Sequence, residues 1–167
     1  MKHRLMLLAG AGIVLGALVW TVPGQAATGT ELCQIKGSAT ISPGLTTKAK
    51  AGTVSISGSL TLCHGTSLPI KSGTVTGTAT GTGSCAESVD TLNATITWST
   101  GATSTVSGKL VSVGPVANFE GKVTSGLFAG SPVGTEAEFQ PAGGATKATQ
   151  CNTSTGLTNV TFTGVTW

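Results

Sequence analysis

From Gly73 to Cys85 the chain reads Gly-Thr-Val-Thr-Gly-Thr-Ala-Thr-Gly-Thr-Gly-Ser-Cys, with a hydroxyl at every even position. Successive side chains of an extended strand point to opposite faces, so this alternation commits the segment to a strand with one wholly polar face. Val75, Ala79 and Cys85 share the other face with glycines. Such a face is thin, and it lets opposing backbone approach closely.

The same period recurs along the chain. Val54, Ile56, Leu60 and Leu62 alternate with Ser and Thr, and Leu92, Ala94, Ile96 and Trp98 form a third apolar face. Ser104, Val106, Gly108 and Leu110 return from it through a turn at Ser99-Thr100-Gly101-Ala102, where Gly101 can take a positive φ. Further strands are predicted over Leu32–Ile41, Asn118–Gly126, Gly134–Gln140 and Thr158–Trp167, with Pro141–Lys147 as a loop. A composition dominated by Thr, Gly, Ser, Val and Ala suits strands better than helices, and no stretch after Ala27 has helical spacing. The expectation is an all-β antiparallel sandwich of about eight strands, immunoglobulin-like or jelly-roll-like, with a small β-barrel as the alternative.

The first 26 residues read differently. Lys2, His3 and Arg4 precede an apolar run from Leu5 to Trp20, and Val22-Pro23-Gly24-Gln25-Ala26 supplies small residues at the positions a signal peptidase reads. Residues 1–26 are therefore expected to be a secretory signal peptide, and residues 27–167 a single secreted domain. Removing Lys2 and Arg4 from the nine basic side chains leaves seven lysines against six acids, a formal charge of +1. No Arg remains to fork onto phosphate or guanine, so nucleic acid is not an expected partner. The first cysteine, Cys33, lies well past Ala26, and the segment Val160–Trp167 reads as a strand. No lipid or membrane anchor is therefore expected once the leader is gone.

Cys33, Cys63, Cys85 and Cys151 are an even set in an exported chain, and two structural disulfides are the expectation. Zinc ligation needs closely spaced cysteine pairs, and the four residues form none, so no metal and no cofactor is expected. Three connectivities are possible. With adjacent strands antiparallel, Cys33 and Cys63 fall at one end of the sheet and Cys85 at the other, which favours Cys33–Cys63 with Cys85–Cys151. The parity of Cys63 against Leu60 and Leu62 then requires a bulge or twist at the strand end.

Catalytic side chains are scarce. His64 is the single histidine after the leader and sits in His-Gly-Thr-Ser, which reads as a solvated loop. No Gly-x-Ser-x-Gly elbow is present. Glu136 and Glu138 share one strand face, about 7 Å apart by strand rise, a spacing that touches the range of an inverting glycosidase. Their alternation with Thr135, Ala137 and Phe139 is equally that of a solvent face. Among aromatic residues, Trp98 extends an apolar face and is expected in the core, whereas Trp167 stands opposite Val160 and Phe162 and is the candidate ligand contact.

A set of landmarks spans most of residues 27–167: Cys33, Ser42-Pro43-Gly44-Leu45, Gly58-Ser59-Leu60-Thr61-Leu62-Cys63, Gly81-Thr82-Gly83-Ser84-Cys85, Trp98-Ser99-Thr100-Gly101 with Ser104, Gly121–Gly130 and Cys151. Their spacing resembles a group of uncharacterised small secreted all-β proteins of actinobacteria. The resemblance implies a fold and carries no active-site residues. Apo-chromoproteins of the neocarzinostatin type are similar in composition and cysteine number, although their cysteines lie in short-range pairs.

The expected role is a non-enzymatic envelope or extracellular protein that meets an envelope component or another protein through polar faces and unpaired edge strands. A small-molecule or glycan-binding module is the alternative, and a glycoside hydrolase using Glu136 and Glu138 a further one.

Overall fold

The computed structural model describes residues 31–65 and 69–167. The leader expected over residues 1–26 lies outside the described residues. Among the described residues, eight strands run in order: β1 (Glu31–Leu45), β2 (Lys50–Gly65), β3 (Gly73–Gly83), β4 (Glu87–Trp98), β5 (Thr103–Val113), β6 (Val116–Gly126), β7 (Pro132–Pro141) and β8 (Leu157–Thr166). Every neighbour in the chain is an antiparallel neighbour in the sheet, and β8 returns to pair with β1 from Cys33↔Thr166 to Thr40↔Asn159. The result is a closed up-and-down barrel. The all-β class, the strand number and the antiparallel pairing follow the sequence expectation, but the sandwich is corrected to the barrel.

The correction has a physical cause. Alternating polar and apolar faces suit two packed sheets or one closed sheet equally well. Closure depends on how sharply each strand can bend, and here glycines meet glycines across strands: Gly37 faces Gly58, and Gly108 faces Gly121. A Cβ on Gly37 would collide with the Ser57 carbonyl, and one on Gly108 with the Glu120 carbonyl. These contacts let the sheet coil tightly at mid-strand and meet its own first strand. Closure also removes the free edges on which pairing with another chain was expected to depend.

Inside, the even-numbered residues of β4 and the odd-numbered residues of β3 behave as the alternation requires: Val75, Ala79, Leu92, Ala94, Ile96 and Trp98 are all buried. Outside, Thr74, Thr76, Thr78, Thr80 and Thr82 are exposed. A lipid-spanning barrel has the reverse polarity, apolar outward and polar inward. No helix among the described residues is long and apolar enough to cross a membrane.

Two disulfides pin opposite ends of the barrel. Cys33–Cys63 ties the start of β1 to the end of β2, and Cys85–Cys151 ties the β3–β4 turn to the segment before β8. This is the favoured connectivity. The register of β1 on β2 shifts between Leu32 and Gln34, and Leu62 takes a φ of 50°, so the parity problem at Cys63 is solved by a bulge that turns Leu62 outward. In the chain-entropy picture the two loops, 30 and 66 residues long, contribute about 3.6 and about 4.3 kcal/mol.

One element departs from the strand-only expectation. After β7 a short 3-10 turn (Ala142–Gly144) leads to a five-residue helix, α1 (Lys147–Cys151). Thr146 caps it by accepting from the Thr149 amide at 3.2 Å. A single turn buries one residue, Cys151, so no helical periodicity could develop in the sequence.

Candidate functional site

The barrel wall is built from alternating strands whose inward residues are mostly Ala, Val, Ile and Leu, with a few large aromatics at set heights. Phe139 of β7 and Phe162 of β8 are cross-strand partners and meet edge to face, their ring centroids 5.8 Å apart. Above them, toward the Cys33–Cys63 end, small side chains such as Ala94 and Ala117 leave the interior underfilled. A cavity of about 120 Å³ results, walled by Trp98, Phe119 and Phe162 among others. It reaches the rim at that end, where Glu31, Pro132, Thr166 and Trp167 border it.

The aromatic wall is fixed by buried hydrogen bonds. Trp98 donates its indole N–H to the Ser104 hydroxyl at 2.8 Å, and Ser104, fully buried, donates onward to the Leu127 carbonyl. Phe128 stacks edge-on against Trp98 with centroids 5.7 Å apart and adopts a φ of 64°, holding the β6–β7 loop into the barrel end. Trp98 is therefore a core residue, as expected, and also part of the cavity wall.

Among the described residues, Glu31 is the one acidic side chain on that wall. It continues the inward parity of Cys33 and Ile35 to the first residue of β1, and it is only 8 % exposed. Its Oε2 has no hydrogen-bond partner among the described residues. Its cross-strand partner is Gly65, and a Cβ there would overlap the carboxylate. Burial pushes the Glu31 carboxyl above the ordinary range, and the positive potential of nearby His64 partly offsets the rise.

Of the sequence candidates, Trp167 borders the cavity at its rim, whereas Glu136, Glu138 and His64 do not. Glu136 and Glu138 are exposed on the outer face of β7, opposite Asn118 and Val116, and neither borders the cavity. His64 is exposed and lies at the end of β2 rather than in a loop. Trp167, at the rim, is 45 % exposed. Its backbone exchanges hydrogen bonds with Gly134 at 2.8 and 3.0 Å, and its indole covers that glycine. Among the described residues no three His, Cys, Asp or Glu side chains gather as metal ligands.

The opposite end is filled more completely. A second cavity of about 60 Å³ lies there, bordered by Asp90 and by Lys147 of α1. Asp90 is buried, which raises its carboxyl, with a Ser88 hydrogen bond acting in the other direction. Lys147 donates its ammonium to the Gly114 carbonyl, and burial lowers its pKa.

Sequence reasoning missed Glu31, Asp90 and Lys147. The first two carried a signal: each has the parity of its strand's apolar face, Glu31 with Cys33 and Ile35, Asp90 with Leu92 and Ala94. Lys147 reaches its place through a single helical turn and carried none.

No protein-family model matches the chain, and no curated protein or solved structure is detectably similar to it. The fold and the cavity define its class on their own: a closed, disulfide-pinned, eight-stranded barrel with an apolar interior space.

Proposed function

We propose that the protein is a secreted, non-enzymatic binding protein that carries a small apolar molecule inside the barrel at the Cys33–Cys63 end. The observation that carries this reading is the underfilled apolar cavity of about 120 Å³ reaching the barrel rim. Interiors of this kind normally pack densely, and an apolar void stays dry and takes up small apolar guests. Engineered voids of about 150 Å³ accept benzene, so a guest with about six to eight heavy atoms is the appropriate scale. The two disulfides are compatible with an oxidising, extracytoplasmic setting. Titration calorimetry with toluene tests the reading. Saturable binding that is abolished by Ala117→Leu, a substitution that grows into the cavity, supports it. Absence of binding, or binding that survives the substitution, overturns it.

A second reading keeps the outer surface as the working part. Leu32, Leu62, Val165 and Trp167 are exposed near the same end, on the adjacent strands β2, β1 and β8 and the residue that follows β8. Clustered exposed apolar side chains mark contact surfaces. Retention of the protein by isolated envelope material, lost in the double variant Leu32→Ser/Trp167→Ser, supports it; equal retention of the variant counts against it.

A further inference from the structure

We propose that Glu31 anchors a protonated amine, so that the occupant of the cavity is a small apolar molecule carrying one cationic nitrogen. This rests on the cavity reading above and deepens it by naming the class of guest.

Glu31 borders the cavity, is more than nine-tenths buried, and leaves Oε2 without a partner among the described residues. A buried polar group without a hydrogen bond is costly, and an unpaired buried charge more so. Native chains rarely keep one unless a role demands it. The neighbouring strand accommodates it: Gly65, opposite Glu31, is the position where any side chain would displace the carboxylate.

Among the described residues, no cation faces the carboxylate from inside the barrel. His64 is the neighbouring titratable side chain that acts on Glu31, and it is exposed on β2, with the parity that places it outside the barrel. The other side chains bordering the cavity are apolar or hydroxylic, with aromatic faces from Trp98, Phe119, Phe128 and Phe162. An ionised carboxylate accepts hydrogen bonds and cannot donate them. It therefore favours an ammonium over a neutral donor, because charge-assisted bonds are about twice as strong as neutral ones, and it repels an anion. An aromatic or aliphatic body would fill the cavity while the nitrogen meets Glu31 at the rim.

Calorimetric titration of the purified protein at neutral pH with toluene, benzyl alcohol, benzylamine and benzoate, repeated on Glu31→Gln, tests this. Benzylamine is expected to bind the wild type at least about tenfold more tightly than benzyl alcohol, the equivalent of one charge-assisted hydrogen bond. In Glu31→Gln the two should fall within about twofold of each other, with toluene affinity unchanged and benzoate rejected only by the wild type. Benzylamine binding no better than benzyl alcohol, while toluene still binds, overturns the amine assignment and leaves the cavity reading intact. If Glu31→Gln folds poorly, the wild-type comparison of benzylamine with benzyl alcohol is decisive by itself. Failure of all four probes to bind overturns both.

Discussion

Ala117 sits on β6 with its methyl group facing the cavity, opposite Ala137 of β7, and both are almost fully buried. Replacing it by leucine adds three carbons to space that holds no protein atoms. At about 24 cal/mol per Å³, a void of 120 Å³ represents about 3 kcal/mol of packing forgone. Three added carbons recover about 2.4 kcal/mol by transfer at about 0.8 kcal/mol each. Fixing the leucine rotamer costs about 0.5–1 kcal/mol, so the net expectation is a gain of about 1.5 kcal/mol. In a densely packed barrel the same substitution overpacks and loses about 1–3 kcal/mol. The two cases therefore differ in sign. Urea unfolding with the disulfides intact, read by the fluorescence of buried Trp98, measures the difference through a shift in midpoint at constant slope. A midpoint lowered by the equivalent of about 1 kcal/mol or more overturns this expectation, because it means that the space beside Ala117 cannot receive a side chain.

Other expectations follow from single contacts. Reducing the protein, or replacing Cys33 and Cys63 together by alanine, should lower stability by about 3.6 kcal/mol in the second case and more in the first; a thermal melt unchanged by reductant contradicts the stapling role. Ser104→Ala removes the acceptor of the Trp98 indole and the donor to Leu127, and should cost about 1–3 kcal/mol and shift Trp98 emission, which fluorescence-monitored unfolding checks. Glu31 and Asp90 both have carboxyl groups raised by burial, so the folded state binds protons more tightly than the unfolded chain. Their contribution therefore favours folding as pH falls toward the ordinary carboxylate range and opposes it as pH rises through the raised values. Glu31→Gln and Asp90→Asn should accordingly gain most over the wild type near neutral pH and least at about pH 4, the unfolded carboxylate range, in a series of urea melts; a gain independent of pH contradicts the assignment.

Much of the architecture was legible because strands with one buried face advertise it. The hydroxyls at even positions from Gly73 to Ser84 marked β3, and the Leu92–Trp98 face marked β4, including the burial of Trp98. The disulfide pairing followed from which strand ends lie together. What the alternation could not convey was closure. The cross-strand pairs Gly37–Gly58 and Gly108–Gly121 become meaningful only when the register is known, since the glycines of each pair are 21 and 13 residues apart. Read singly, they indicate thin faces; read as pairs, they mark where the sheet coils. The cavity was less legible still, because it depends on the summed volume of small residues such as Ala94 and Ala117 from separate strands. Glu31 could have been found by extending the parity of Cys33 and Ile35 one step toward the N-terminus. Starting the first strand at Leu32 hid it.

If the space beneath the Cys33–Cys63 rim is a binding site for a small apolar molecule, a guest must be found there. Diffraction from crystals soaked in bromobenzene is the most direct check, because the anomalous signal of bromine locates the guest without reference to the protein density. The expected peak lies inside the barrel, among Trp98, Phe119 and Phe162, and disappears in crystals of Ala117→Leu. Bromine found only on the outer surface, beside Leu32 or Trp167, or not at all, would show that the barrel interior is not the binding site.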